Sequence, residues 1–144
     1  MKINTDDLIE FEELQLEMKS YQKASDFLKS FDWCTEIKNG WIDRTYSLFD
    51  KLGIFLFEII PINDEIDNFI WIIVGDLPSV YLDASVENAE EAIRMYCDLM
   101  EDWYTNVFEG TSIDECYPVN VPATKENAEL LSQRIQFIRD KILD

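Results

Sequence analysis

Over residues 6–28 the apolar positions Phe11, Leu14, Met18, Tyr21, Ala24 and Leu28 recur at spacings of three and four, which predicts a helix. Thr5 is placed to cap it, and Asp6 and Asp7 suit the positive end of its dipole. The period then changes to that of extended chain. Residues 33–38 read as a short strand candidate. Asn39-Gly40 reads as a two-residue turn, because both central residues of a type I′ turn need positive φ. Residues 41–49 would be the returning strand, with Ile42, Tyr46 and Leu48 on one face. "GIFLFEII" at 53–60 is apolar on both faces except at Glu58, as a central strand would be, and Pro61 ends it. Residues 69–74 form the next strand. In "WIIVGDLPSVYL" the interruption at Gly75, Asp76 and Pro78 reads as a corner leading into a short last strand at 79–83.

The helical period returns in Ala89, Ala92, Ile93, Tyr96, Cys97, Met100, Trp103, Tyr104 and Val107. Asn88 with Glu91 suits a capping box, with Ser85 a competing cap, and Gly110 suits the residue past the helix end. "YPVNVP" is barred from helix by its prolines. Thr124 then opens a final helix that buries Ala128, Leu131, Ile135, Ile138 and Ile142. The expectation is one α+β domain over residues 1–144. It has an N-terminal helix, a four-stranded antiparallel meander sheet and two C-terminal helices packed on the sheet.

Composition narrows the chemistry. The chain has 144 residues, is 47% hydrophobic and contains no histidine. A Ser-His-Asp or Cys-His pair, a histidine base and histidine metal ligands are thereby excluded. The four glycines are isolated, so no Gly-rich phosphate loop exists. Cys34, Cys97 and Cys116 are odd in number and lack C-x-x-C spacing, which argues against a zinc site or a disulfide framework; Cys97 reads as a small core residue. No apolar run approaches the roughly 18 residues of a membrane span. The acidic start "MKINTDDLIEFEELQ" is unlike a signal peptide, so the default compartment is the cytoplasm. No cofactor or metal is implied. "NDEIDN" at 63–68 is rich in oxygen but lacks the spacing and glycine of a calcium loop.

The net charge of -18 would repel nucleic acid and anionic membranes and attract a basic partner. From Asp76 to Glu115 there are eleven acids and one base, Arg94. Glu87, Glu91, Asp98, Glu101 and Asp102 fall on the polar face of one helix. Glu87–Glu91 and Asp98–Asp102 are like-charge i,i+4 pairs, each destabilising by a few tenths of a kcal/mol. Such a face gives up stability to concentrate negative charge, as a surface that docks a basic partner would. In the β region Arg44 and Glu58 each interrupt apolar patterning, and the economical expectation is that they pair across neighbouring strands. The alternative is a polar ligand pocket bounded by Arg44, Glu58 and Asp76, serving small-molecule binding or carboxylate-dependent catalysis. A homo-oligomer would be signalled by Trp33 or Trp41 exposed in an apolar patch.

The runs "WIDR" (41–44), "FEIIP" (57–61), "WIIVGDLPSVYL" and "YCDLMEDW" (96–103), with "PVNVPAT" near the end, resemble a bacterial domain family of unknown function over residues 41–142. That resemblance implies no particular activity. By type the chain is also similar to the small acidic immunity proteins of bacterial toxin systems, which neutralise a toxin domain by binding it. Together these observations point to a non-enzymatic binding module.

Overall fold

The computed structural model describes residues 5–48 and 51–143, with the backbone alone over residues 5–13. The expected cap at Thr5, the acids Asp6 and Asp7, the stripe position Phe11 and the strand end at Phe49 lie outside the described side chains. The elements run α1 (Thr5–Lys29), β1 (Cys34–Leu48), β2 (Leu52–Pro61), β3 (Phe69–Gly75), β4 (Val80–Leu82), α2 (Ala89–Glu109) and α3 (Lys125–Lys141). The four strands form one antiparallel sheet in the order β1-β2-β3-β4, and the fold is α+β. No helix among the described residues is long and apolar enough to cross a membrane. The chain divides into two compact units, Met1–Val86 and Glu87–Asp144.

In the first unit α1 packs on one face of the sheet. Strand periodicity places Phe55, Phe57 and Ile59 of β2 beside Ile70, Ile72 and Val74 of β3. These close a core with Ala24 and Leu28 of the helix. Each such fully buried side chain is worth roughly 1.5–3 kcal/mol. The intervening Leu52, Ile54, Trp71 and Ile73 are buried as well, as expected of strands apolar on both sides. The Trp71 indole donates to the Val86 carbonyl at 2.9 Å. "WIIVGDLPSVYL" is indeed a corner, since β3 ends at Gly75 and Ile73 pairs with Val80 of β4.

Two local expectations are corrected. Asn39-Gly40 is not a turn. β1 continues through it, after a register shift between Ile37 and Asn39, with Asn39 opposite Glu58 and Gly40 opposite Phe57. Gly110 is the described glycine with positive φ, and Gly40 serves another purpose. A Cβ there would lie 2.6 Å from the Tyr21 hydroxyl and 2.7 Å from the Phe57 ring, so the missing side chain lets α1 lie close on the sheet. The second correction concerns α1. Leu14 and Met18 are 49% and 63% exposed. The covered face runs through Glu17, Ser20, Tyr21, Ala24 and Leu28, one residue round the helix from the apolar pair.

In the second unit the stripe residues of α2 from Ala89 to Trp103 are buried, as are Ala128, Leu131, Ile135 and Ile138 of α3, and the two helices pack together. Asn88 is the N-cap of α2, accepting from Glu91 N at 2.8 Å. The Glu91 carboxylate reaches back to the backbone N–H of Glu87 at 3.2 Å rather than to the cap itself. Ser85 is not the cap; its hydroxyl donates to Asp83. Gly110 takes the left-handed φ of 71° that ends the helix, where a residue with a Cβ would be strained. Thr124 caps α3, accepting from Asn127 N at 3.2 Å.

Candidate functional site

Helical spacing brings Glu91, Asp98 and Asp102 to one face of α2, with Glu101 beside it, whereas Glu87 precedes the Asn88 cap and stands outside the helix, so the expected Glu87–Glu91 helical pair does not form. The structure separates these five acids by what each already holds. Glu91 is half-buried and completes the helix start. Arg139 of α3 donates to Glu101 at 2.8 Å and to Asp98 at 3.2 Å, tying the two helices together. Asp102 receives the Asn106 side-chain amide on its backbone carbonyl at 2.7 Å. Glu87, Asp98 and Asp102 are the exposed members. Arg94 is taken up by Glu90 at 3.0 Å. Met95 was missed by sequence reasoning. It stands on the same face, four residues after Glu91 and three before Asp98, and is 38% exposed. Its signal was present, since it interrupts the polar face.

The expected Arg44–Glu58 pair does not form. With β1 continuous, Glu58 lies opposite Asn39 and Ile54 lies opposite Asp43, so Arg44 is several rungs from Glu58. Glu58 accepts instead from the Asn39 amide at 2.8 Å. Arg44 reaches α1 and clamps Glu17 with two bonds, Nε to Oε1 at 2.9 Å and Nη2 to Oε2 at 3.1 Å. The Glu17 side chain is only 12% exposed, and its hydrogen bonds raise the pKa of the Arg44 guanidinium. The pocket expected to join Arg44, Glu58 and Asp76 is therefore not assembled.

A different cavity, of about 640 Å³, opens between α1 and the ends of β1, β2 and β3. Leu16, Ile42, Leu48 and Leu52 give it apolar walls; Gly53 and Gly75 contribute backbone; Lys19, Lys23, Lys51, Glu17, Asp26 and Asp76 supply charge. Lys23 donates to the Gly75 carbonyl. Asp76 is thus at the cavity, Arg44 reaches its rim through Glu17, and Glu58 is not part of it.

The thiols carry no activated nucleophile. Burial pushes Cys97 up to about 11 and is the leading cause of the rise at Cys34 and Cys116. A reactive thiol needs the opposite shift. No group of three or more metal-capable side chains occurs among the described residues. The chain is thus an α+β protein with an acidic helix face and a cavity under its first helix. Comparison with protein-family models, curated proteins and solved structures found no match to it.

Proposed function

We propose that the protein acts by binding rather than by catalysis, docking a basic protein surface on the solvent face of α2, as a small acidic immunity protein docks a basic toxin domain. The observation that carries this reading is the face of α2 on which the exposed acids Asp98 and Asp102 stand beside the exposed Met95, with the exposed Glu87 just before the helix start. Charge of one sign steers a basic partner and selects for it. A flexible thioether amid that charge supplies an adaptable apolar contact. The two cations nearest the face do not neutralise it, because Arg94 and Arg139 are matched by Glu90, Asp98 and Glu101 while Glu87, Glu91, Asp102 and Glu109 remain.

The test must avoid Glu91 and Glu101, whose removal would disturb the helix start and the Arg139 tie. Glu87→Lys with Asp102→Lys is compared with Asp64→Lys with Glu65→Lys, which makes the same change of net charge on the β2–β3 loop. Each is immobilised and challenged with native lysate at low and high salt. The expected outcome is one stoichiometric basic partner, released by salt, retained by the loop variant and lost from the α2 variant. Equal loss from both variants would reduce the effect to net charge. The absence of any partner from the parent protein would remove the reading altogether.

A further inference from the structure

We infer that the sheet face turned away from α1 docks a protein partner that presents an arginine between apolar side chains. The surface lies wholly in the first unit, so the inference is independent of the docking face on α2. Along β2, Phe55, Phe57 and Ile59 point to α1, and alternation sends Leu56, Glu58 and Ile60 the other way. Residues opposite each other on neighbouring strands share a face, which adds Trp41 opposite Leu56 and Phe69 opposite Glu58. Trp41, Ile60 and Phe69 are 49%, 40% and 40% exposed, and Leu56 is half-buried. A continuous apolar patch with two exposed rings marks an interaction site, as scattered surface residues do not.

The charge at its centre selects the occupant. Glu58 is half-buried among these side chains. Its Oε1 accepts from the Asn39 amide at 2.8 Å, and its Oε2 has no partner among the described residues. Glu36 and Asp43 stand on the same face, opposite Ile60 and Ile54. The described bases of this unit are drawn to the other side. Lys19, Lys23 and Lys29 belong to α1, Arg44 is held by Glu17 of that helix, and Lys51 lines the cavity under it. Lys38 sits at the register shift between Ile37 and Asn39 and makes no ion pair with Glu58. The patch therefore lacks a cation. An arginine supplies it best, because its weakly hydrated plane stacks on an indole while its N–H groups donate to a carboxylate. A second copy does not supply it. A two-fold contact sets a patch against itself, bringing the two sets of Glu36, Asp43 and Glu58 together, and like charges oppose it.

The probes are random peptides displayed on phage and selected on the full chain at low ionic strength. Those that also bind Trp41→Ser with Phe69→Ser are discarded, with circular dichroism confirming that each variant is folded. The expected survivors carry an arginine flanked by apolar residues. Replacing that arginine by citrulline, its uncharged analogue, should weaken binding about tenfold in a calorimetric titration. Glu58→Gln, which leaves the apolar patch intact, should erase the difference between the two peptides, a comparison that stands even where the double-serine variant fails to fold. Glu87→Lys with Asp102→Lys should leave both affinities unchanged, so failure here is separate from failure of the α2 reading. Loss of the peptides from that variant would assign them to the acidic helix and overturn the inference. No survivor, survivors without a cation, or a citrulline peptide that binds as tightly would each overturn it. A dimer of the parent in sedimentation that Trp41→Ser dissociates would give the patch to a second copy, and that too would overturn it.

Discussion

Trp103 is 1% exposed, yet its indole N–H has no acceptor among the described residues, whereas Trp71 spends its N–H on the Val86 carbonyl. An orphaned buried donor costs about 1–3 kcal/mol, because its hydrogen bond to water is lost and not replaced. Trp103→Phe removes that donor along with some packing, and the two effects oppose. The variant is therefore expected to stay within about 1 kcal/mol of the parent, against a loss of about 3–5 kcal/mol for Trp103→Ala. Urea denaturation of the three proteins measures both differences. A Phe variant as damaged as the Ala variant would mean that the N–H is satisfied. Glu58 makes the contrasting case, a charge in an apolar strand that stays half-buried because the Asn39 amide meets it across the β1–β2 ladder.

At the scale of the element, Gly40 tests why β1 is one strand. If the glycine served a turn, alanine would be penalised whatever lay above it. Here the obstacle is the Tyr21 hydroxyl, 2.6 Å from the added Cβ, with the Phe57 ring at 2.7 Å. Gly40→Ala should cost about 1–3 kcal/mol, as overpacking does. The cost should shrink by about 0.5 kcal/mol or more in a Tyr21→Ala background, because residues in contact couple. An unchanged penalty in that background would assign it to the backbone or to Phe57 instead. The same residues show what the sequence could and could not reveal. α2 and α3 were legible because their determinants are local: the apolar stripe, the Asn88 cap filled three residues on, Gly110 at the end, and Thr124 with Asn127. Asn39-Gly40 misled because its meaning depends on Tyr21, which reaches it only through the tertiary fold. Arg44 misled likewise, since its partner Glu17 lies 27 residues earlier on another element. The cavity has walls from one helix and three strands, so no single segment carried its signature.

At the scale of the whole molecule, charge acts twice, and the two actions respond to salt with opposite sign. Residues 1–86 carry seventeen acids against seven bases, and residues 87–144 carry thirteen against five, so both compact units are strongly negative. Like charge held at folded density repels itself more than in the expanded chain, which destabilises the compact state. Raising NaCl from about 10 mM to about 150 mM shortens the Debye length from about 30 Å to about 8 Å, and this repulsion weakens. The melting temperature should then rise by about 3 °C, on the scale of about 1 kcal/mol for a chain of this size. Over the same range, attraction between the α2 face and a basic partner should weaken, chiefly through slower association. Calorimetric melts and surface-binding kinetics in one buffer series read both. A melting temperature that is flat or falls with salt would show that the ion pairs at Arg139, Arg94 and Arg44 outweigh the repulsion. A complex that tightens with salt would show that apolar contact rather than charge holds it, and the docking reading would fail on kinetics even with a partner in hand.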